Sequence, residues 1–197
     1  MSRSVLYMSM SLDGFIAGPE DDADHGLGVN GERLHEWLQD DPADNPGGFR
    51  PRGVNGQVFA EAMATGAVVV GRRTFDLAGR WNGDHHGVPI YVPTRGTPPE
   101  PASDWVHYVT DGVGSAVAQA KAAAGDADVM VHGAELTQSL LRAGVLDELE
   151  IHLVPVLLGD GRRLFEHLGS DHIELERVRV VEGEGGVTHL RYRVVAA

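Results

Sequence analysis

No cysteine occurs in the 197 residues. That excludes disulfides, a thiolate nucleophile and any cysteine-ligated zinc. Long apolar runs are also missing: no stretch is long enough to span a bilayer, and the opening Met1-Ser2-Arg3-Ser4-Val5-Leu6 is too short for a signal peptide. A cytoplasmic chain without a membrane partner is expected. Positive charge is scarce, 16 Lys and Arg against 29 Asp and Glu, a net −13. Such a surface repels nucleic acid. It also makes local arginine clusters informative, and Arg72, Arg73 and Arg95 stand out, with Arg162-Arg163 as a second pair. There is no Gly-x-Ser-x-Gly elbow to support serine hydrolysis. Asp84-His85-His86 lacks further ligands at zinc spacing, so no metal site is expected.

What is present suits one domain over 1–197, long enough to bury its own core, with no internal repeat and no linker. A strand at 5–8 runs into Ser9-Met10-Ser11-Leu12-Asp13-Gly14. Loops are expected at 18–31 and 40–56, where Gly, Asp and Pro crowd together. Leu34, Trp37 and Leu38 share one face of a helix over 32–39, and a short helix follows at 58–65. From there strands (67–70, 88–93, 105–110, 129–131) alternate with helices (73–78, 115–124, 135–142). Residues 148–157 alternate apolar Leu149, Ile151 and Leu153 with polar Glu148, Glu150 and His152, the pattern of a half-exposed strand. The chain ends in a hairpin, 173–181 and 187–195 about a Gly-rich turn. The expected fold is α/β: a three-layer α-β-α sandwich whose mostly parallel mixed sheet of about eight strands ends in an antiparallel hairpin.

Gly71-Arg72-Arg73-Thr74-Phe75 directly follows the apolar Ala67-Val68-Val69-Val70. A buried strand that stops at glycine and opens a helix with arginines and a hydroxyl is a common way to hold a phosphate. The new helix offers unpaired N–H groups and the positive end of its dipole, the arginines add charge, and Thr74 caps the turn or meets an oxygen. Gly133-Ala134 opens a second helix after a strand and offers the same N–H groups. By contrast, Gly112-Val113-Gly114-Ser115-Ala116-Val117 lacks the last small residue of a dinucleotide fingerprint and reads as a turn and helix start.

These residues, with Met10-Ser11-Leu12-Asp13-Gly14-Phe15-Ile16-Ala17-Gly18, Val92-Pro93-Thr94-Arg95, Val131-His132-Gly133-Ala134-Glu135-Leu136 and the run from Leu146 to Gly159, resemble the dihydrofolate reductase fold superfamily over most of 4–195. More closely, the chain resembles stand-alone relatives of the riboflavin-biosynthesis reductase domain. The resemblance implies NADPH as cofactor. It implies that the backbone at Ser9 and Ile16 flanks the nicotinamide and that Gly71, Arg72, Arg73 and Thr74 meet the pyrophosphate and adenosine side. Thr94 and Arg95 would read the 2′-phosphate, and Val131 to Leu136 would cradle the pyrophosphate. An arginine forking onto a phosphate would favour NADP(H) over NAD(H). The usual tight Gly-Gly pair is replaced by His132-Gly133, which puts the closeness of cofactor approach in question.

On the substrate side, the first helix region offers Glu32, Glu36, Asp40 and Asp41 with no distinguishing pattern, and Asp13, the best polar candidate near the nicotinamide, is read as the catalytic residue or equally as a turn residue holding Gly14. The leading reading is an NADPH-dependent reductase of a small heterocyclic or carbonyl substrate. A diverged pyrimidine or pterin reductase and a non-catalytic NADP-binding protein are the alternatives. The apolar stretch 149–158, with Leu164-Phe165 behind it, points to a symmetric homodimer through residues near 150–170.

Overall fold

The computed structural model describes residues 2–39, 48–96 and 103–195. Its elements run β1 (Ser4–Ser11), β2 (Phe15–Ala17), a 3-10 helix (Gly31–Leu38), α1 (Gly53–Met63), β3 (Ala67–Val70) and α2 (Arg72–Leu77). Then come β4 (Ile90–Pro93), β5 (Val106–Val109), α3 (Val113–Ala124), β6 (Val129–His132), α4 (Ala134–Arg142), β7 (Glu148–Val154), β8 (Arg162–Arg163), β9 (Leu175–Glu182) and β10 (Thr188–Val194). Eight strands form one sheet in the order β5-β4-β3-β6-β1-β7-β10-β9. The pairs from β5 to β7 are all parallel, whereas β10 is antiparallel to β7 and to β9. This is the expected mixed sheet with a terminal hairpin.

Continuous valine is what a strand covered on both faces requires, and β3 is wholly buried. One face carries Val5, Tyr7, Val68, Val70, Ile90 and Met130 under α1 and Phe75 of α2. The other carries Leu6, Val69, Val131, Leu149 and Ile151 under α3 and α4, with Leu140 and Ala116 filling between. No helix among the described residues is long and apolar enough to cross a membrane.

Three local expectations are corrected. Residues 31–38 form a 3-10 helix rather than an α-helix, although the expected Leu34, Trp37 and Leu38 are the buried ones; Gly31, Leu34 and Trp37 are three apart, which suits three residues per turn. Helix α1 begins at Gly53, not at 58, because Glu184 from the distant hairpin turn accepts from the N–H groups of Val54 and Asn55 at 3.1 Å each. The part of the expected 40–56 loop at 40–47 lies outside the described residues. A small second sheet pairs β2 with β8. The largest correction is β7: Glu148 and Glu150 are 0 % exposed and His152 5 %. Its polar face is covered by the chain's own ion pairs. Arg191 Nε donates to Glu148 Oε2 at 2.7 Å, Arg3 Nη1 to Glu148 Oε1 at 3.0 Å, and Arg179 binds both Glu150 and Glu61 of α1. Alternation reports polarity, and here polarity is paired inward rather than solvated.

Candidate functional site

Parallel strands bring the C-terminal ends of β4, β3, β6 and β1 to one edge. Val70 lies opposite His132, and Gly71 N–H donates to the His132 carbonyl at 3.1 Å, so the Gly71–Thr74 and Gly133–Leu136 turns sit side by side. Gly133 has φ 103°, and a Cβ there would lie 2.6 Å from Thr74 Oγ1. Gly71 has an ordinary φ of −63°. The turn that demands glycine is therefore the second one. Thr74 makes no side-chain hydrogen bond as a cap; its hydroxyl lies over Gly133.

Beside these turns the sheet opens. β1 pairs with β6 only as far as Leu6 opposite Val131, while its pairing with β7 continues to Ser11 opposite Val154. A gap is left between residues 7–11 and the start of α4. Ser9 and Ile16 are buried near it, 5 % and 6 % exposed, and Ser9 Oγ accepts from Trp37 Nε1 at 2.9 Å. Val131, Ala134 and Leu136 are core residues, so only their backbone is available to a ligand.

His132 turns away from the paired glycines, onto the α1 face. Its Nδ1 meets the Tyr7 carbonyl at 2.9 Å, and its ring lies 5.5 Å from His85 and 5.9 Å from Trp81. The substitution of histidine for glycine thus leaves the contact between the two turns intact. Trp81 reaches this place through a left-handed turn: Gly79, Arg80, Trp81, Asn82 and Gly83 all have positive φ. Strain of this kind concentrates at functional sites. Burial lowers the pKa of His132 to about 4 and that of His85 to about 3, keeping both imidazoles neutral.

The arginines are divided between carboxylates. Arg72 Nε donates to Asp76 at 2.6 Å. Arg73 and Arg162 converge on Asp21, with Arg73 Nη2 at 2.9 Å and Arg162 Nε at 3.0 Å. Burial works to raise the pKa of Asp21, but the two guanidiniums outweigh it and hold the carboxyl below its usual range. Asp21 and Arg162 of this triad line a cleft of about 460 Å³ between Gly18–Asp21, the α4 start at Ala134 and Glu135, and Gly161–Arg163. Glu135 is exposed and touches Arg162 Nη1 at 3.4 Å. Thr94 and Arg95 follow β4, one strand beyond the paired turns. Thr94 Oγ1 donates to the Gly96 carbonyl at 3.1 Å, and Arg95 is exposed with no partner among the described residues.

Asp13 serves its loop. It accepts from Ser11 Oγ at 2.5 Å, from Gly159 N–H at 2.8 Å and from Leu158 N–H at 3.2 Å. The Ser11 hydroxyl, with these N–H groups, holds its pKa below the usual range. Among the described residues no three His, Asp or Glu side chains gather as metal ligands.

Sequence reasoning missed Asp21, Trp37, Asn55, His152 and His189. Asp21 sat in a run of loop acids, and His152 sat on the polar half of an alternating strand. Neither has a local signal; only the fold brings them to the edge.

The family model described as the RibD C-terminal domain matches residues 4–188. An uncharacterised protein of Bacillus subtilis strain 168, YwjB, is 26 % identical over 171 residues, 86 % of each chain. A candidate riboflavin biosynthesis protein of Shewanella sp. PV-4 superposes over 100 % of both chains with a TM-score of 0.74 at 22 % identity. The diaminohydroxyphosphoribosylaminopyrimidine deaminase/5-amino-6-(5-phosphoribosylamino)uracil reductase of Thermotoga maritima superposes over 98 % of this chain and 57 % of its own, with a TM-score of 0.63 at 15 % identity.

Proposed function

The chain belongs to the RibD C-terminal domain family, and on that footing we propose that it is an NADPH-dependent reductase delivering a hydride to a small heterocyclic or carbonyl substrate. The observation that carries this reading is the pair of strand-to-helix turns packed together at the mouth of the β1–β6 gap. The N–H groups opening α4 and the Arg73 and Arg162 guanidiniums suit a pyrophosphate. The gap suits a flat ring whose edge must face a substrate on the α1 side. Arg72 and Thr74 complete the phosphate side, and Arg95 reads the 2′-phosphate. Bound there, the nicotinamide supplies the hydride, and the protein supplies orientation and electrostatics. Asp13 acts by pinning the 11–14 turn beside the gap, against Leu158 and Gly159.

The reductase named for the Thermotoga relative makes a pyrimidine the first substrate to try. Consumption of NADPH in the presence of 5-amino-6-(5-phosphoribosylamino)uracil is the expected result for a pyrimidine reductase. NADPH binding without turnover on any pyrimidine, pterin or carbonyl compound would instead favour a non-catalytic NADP-binding protein.

We further propose a homodimer whose surface adds the edge strand β9 to the exposed part of the expected 150–170 region. β7 is an interior strand, paired on both edges within the chain, so it needs no partner. Among the exposed apolar side chains are Leu157 and Phe165, and Leu175, Val178 and Val180 on the edge strand β9. An open edge with apolar neighbours favours pairing with a second copy.

A further inference from the structure

A chain of three side chains crosses the α1 face behind the gap and fixes which nitrogens carry protons. Asn55 Nδ2 donates to the Trp37 carbonyl at 3.1 Å and the Glu184 carbonyl at 3.2 Å. The other amide atom is therefore the oxygen, an acceptor only. His189 Nε2, 3.0 Å from Asn55 Oδ1, must carry a proton. His189 Nδ1 faces His152 Nδ1 at 2.9 Å, and a single proton occupies that contact. Burial lowers the pKa of His189 to about 4 and that of His152 well below 6.5, so both rings are neutral. The proton between them then belongs to His152 Nδ1, and His152 Nε2 is a bare lone pair.

That lone pair has no use inside the fold. Nε2 makes no hydrogen bond to any described residue, and His152 keeps 5 % of its surface exposed. Its position suits a ligand. His152 lies opposite Ser9 in the β1–β7 register, on the same face as Tyr7, with the Trp37 ring 4.5 Å away as a roof. His35, on the 3-10 helix, has an enclosed Nδ1 without a partner. A charge on His35 or His132 would disfavour one on His152, so the three imidazoles share one neighbourhood.

We propose that His152 is a specificity-determining residue of the site: held by His189 and Asn55, its Nε2 lone pair accepts a hydrogen bond from an N–H or O–H group of the substrate. A carbonyl or carboxylate placed at that point would meet lone pair against lone pair and be refused. His189 and Asn55 act through His152 and are positioning residues. The proposal rests on the reductase reading, since it takes the substrate to stand on the α1 face of the gap.

The test uses the full-length protein with 15N-labelled histidine and long-range proton–nitrogen NMR, which reports the tautomer of each ring. In the ligand-free protein, His152 is expected as the Nδ1–H tautomer and His189 as the Nε2–H tautomer. Adding 5-amino-6-(5-phosphoribosylamino)uracil to the NADPH-loaded protein should move the His152 Nε2 resonance toward that of a protonated nitrogen while His189 stays in place. His152→Phe should weaken binding of this pyrimidine about ten- to hundredfold with NADPH titrating as in the wild type. Asn55→Leu should leave His152 in mixed tautomers, a change that mere loss of packing would not cause. A protonated Nε2 on His152 in the ligand-free protein overturns the proposal. So does a His152 signal that stands still at saturating pyrimidine, or an NADPH-loaded protein that does not bind the pyrimidine. Failure to bind NADPH contradicts the reductase reading alone, and the ligand-free tautomers still decide this one.

Discussion

Gly133 lies so close against Thr74 that a Cβ on it would stand 2.6 Å from Thr74 Oγ1. The contact joins the two strand-to-helix turns into one surface, and it makes Gly133 doubly constrained, by space and by its φ of 103°. Gly133→Ala should cost about 1–3 kcal/mol of stability from backbone strain alone. Thr74→Ala in the same chain should recover the steric part and leave the strain. Thermal unfolding of the two single variants and the double variant checks this; a Gly133→Ala protein that melts like the wild type contradicts the geometry.

Arg191 is the cation that closes over the polar face of β7, with its side chain 11 % exposed beside Glu148 at 2.7 Å and Glu150 at 3.7 Å. Burial pushes the Glu150 carboxyl up, the signature of a charge held there only by its neighbours. Arg191→Ala leaves two buried carboxylates short of a partner and should cost about 3–5 kcal/mol in urea unfolding, while Glu150→Gln costs less. A loss for Arg191→Ala below that of Glu150→Gln would show the network to be solvated instead.

That network also shows where the sequence stops being legible. Strand and helix order, the parallel sheet and the terminal hairpin follow from local patterns: valine runs, helical spacing and turn glycines. The turns at Gly71–Thr74 and Gly133–Leu136 each announce themselves next to their strands, but their contact with each other comes only from the fold. Glu148, Glu150 and His152 do not, since an alternating polar set looks the same whether it faces water or arginines from β9 and β10. The start of α1 was hidden for a related reason: its cap, Glu184, lies 130 residues away from Val54. Asp21 joins Arg73 and Arg162 across 52 and 141 residues, and no local pattern encodes such contacts.

Half-buried and buried histidines make stability depend on acidity. Burial lowers His35, His132 and His189 to about 4 and His85 to about 3, from an ordinary 6.5. In the unfolded chain they take up protons below 6.5 while the folded chain does not, so the unfolded state binds more protons. Stability is therefore full above pH 6.5 and falls as the pH drops toward about 4, by up to about 1.4 kcal/mol per pH unit for each histidine involved. Urea midpoints across that window should decline, and His85→Asn should flatten the profile. A midpoint that does not move between pH 6.5 and 4 contradicts neutral burial.

Assembly is checked by light scattering at micromolar protein. Twice 21.1 kDa is expected for the wild type, and Val180→Glu, placing charge on the exposed edge strand, should return the chain to 21.1 kDa. A wild-type mass of 21.1 kDa contradicts the dimer.

Parallel calorimetric titrations with NADPH and NADH decide whether the paired turns and the arginines around them form the proposed NADP-specific cofactor site. NADPH should bind more tightly, and Arg95→Ala should lose about 1.5–3 kcal/mol of NADPH affinity while leaving NADH nearly unchanged. Equal affinities for the two cofactors, or no binding of either, would contradict it.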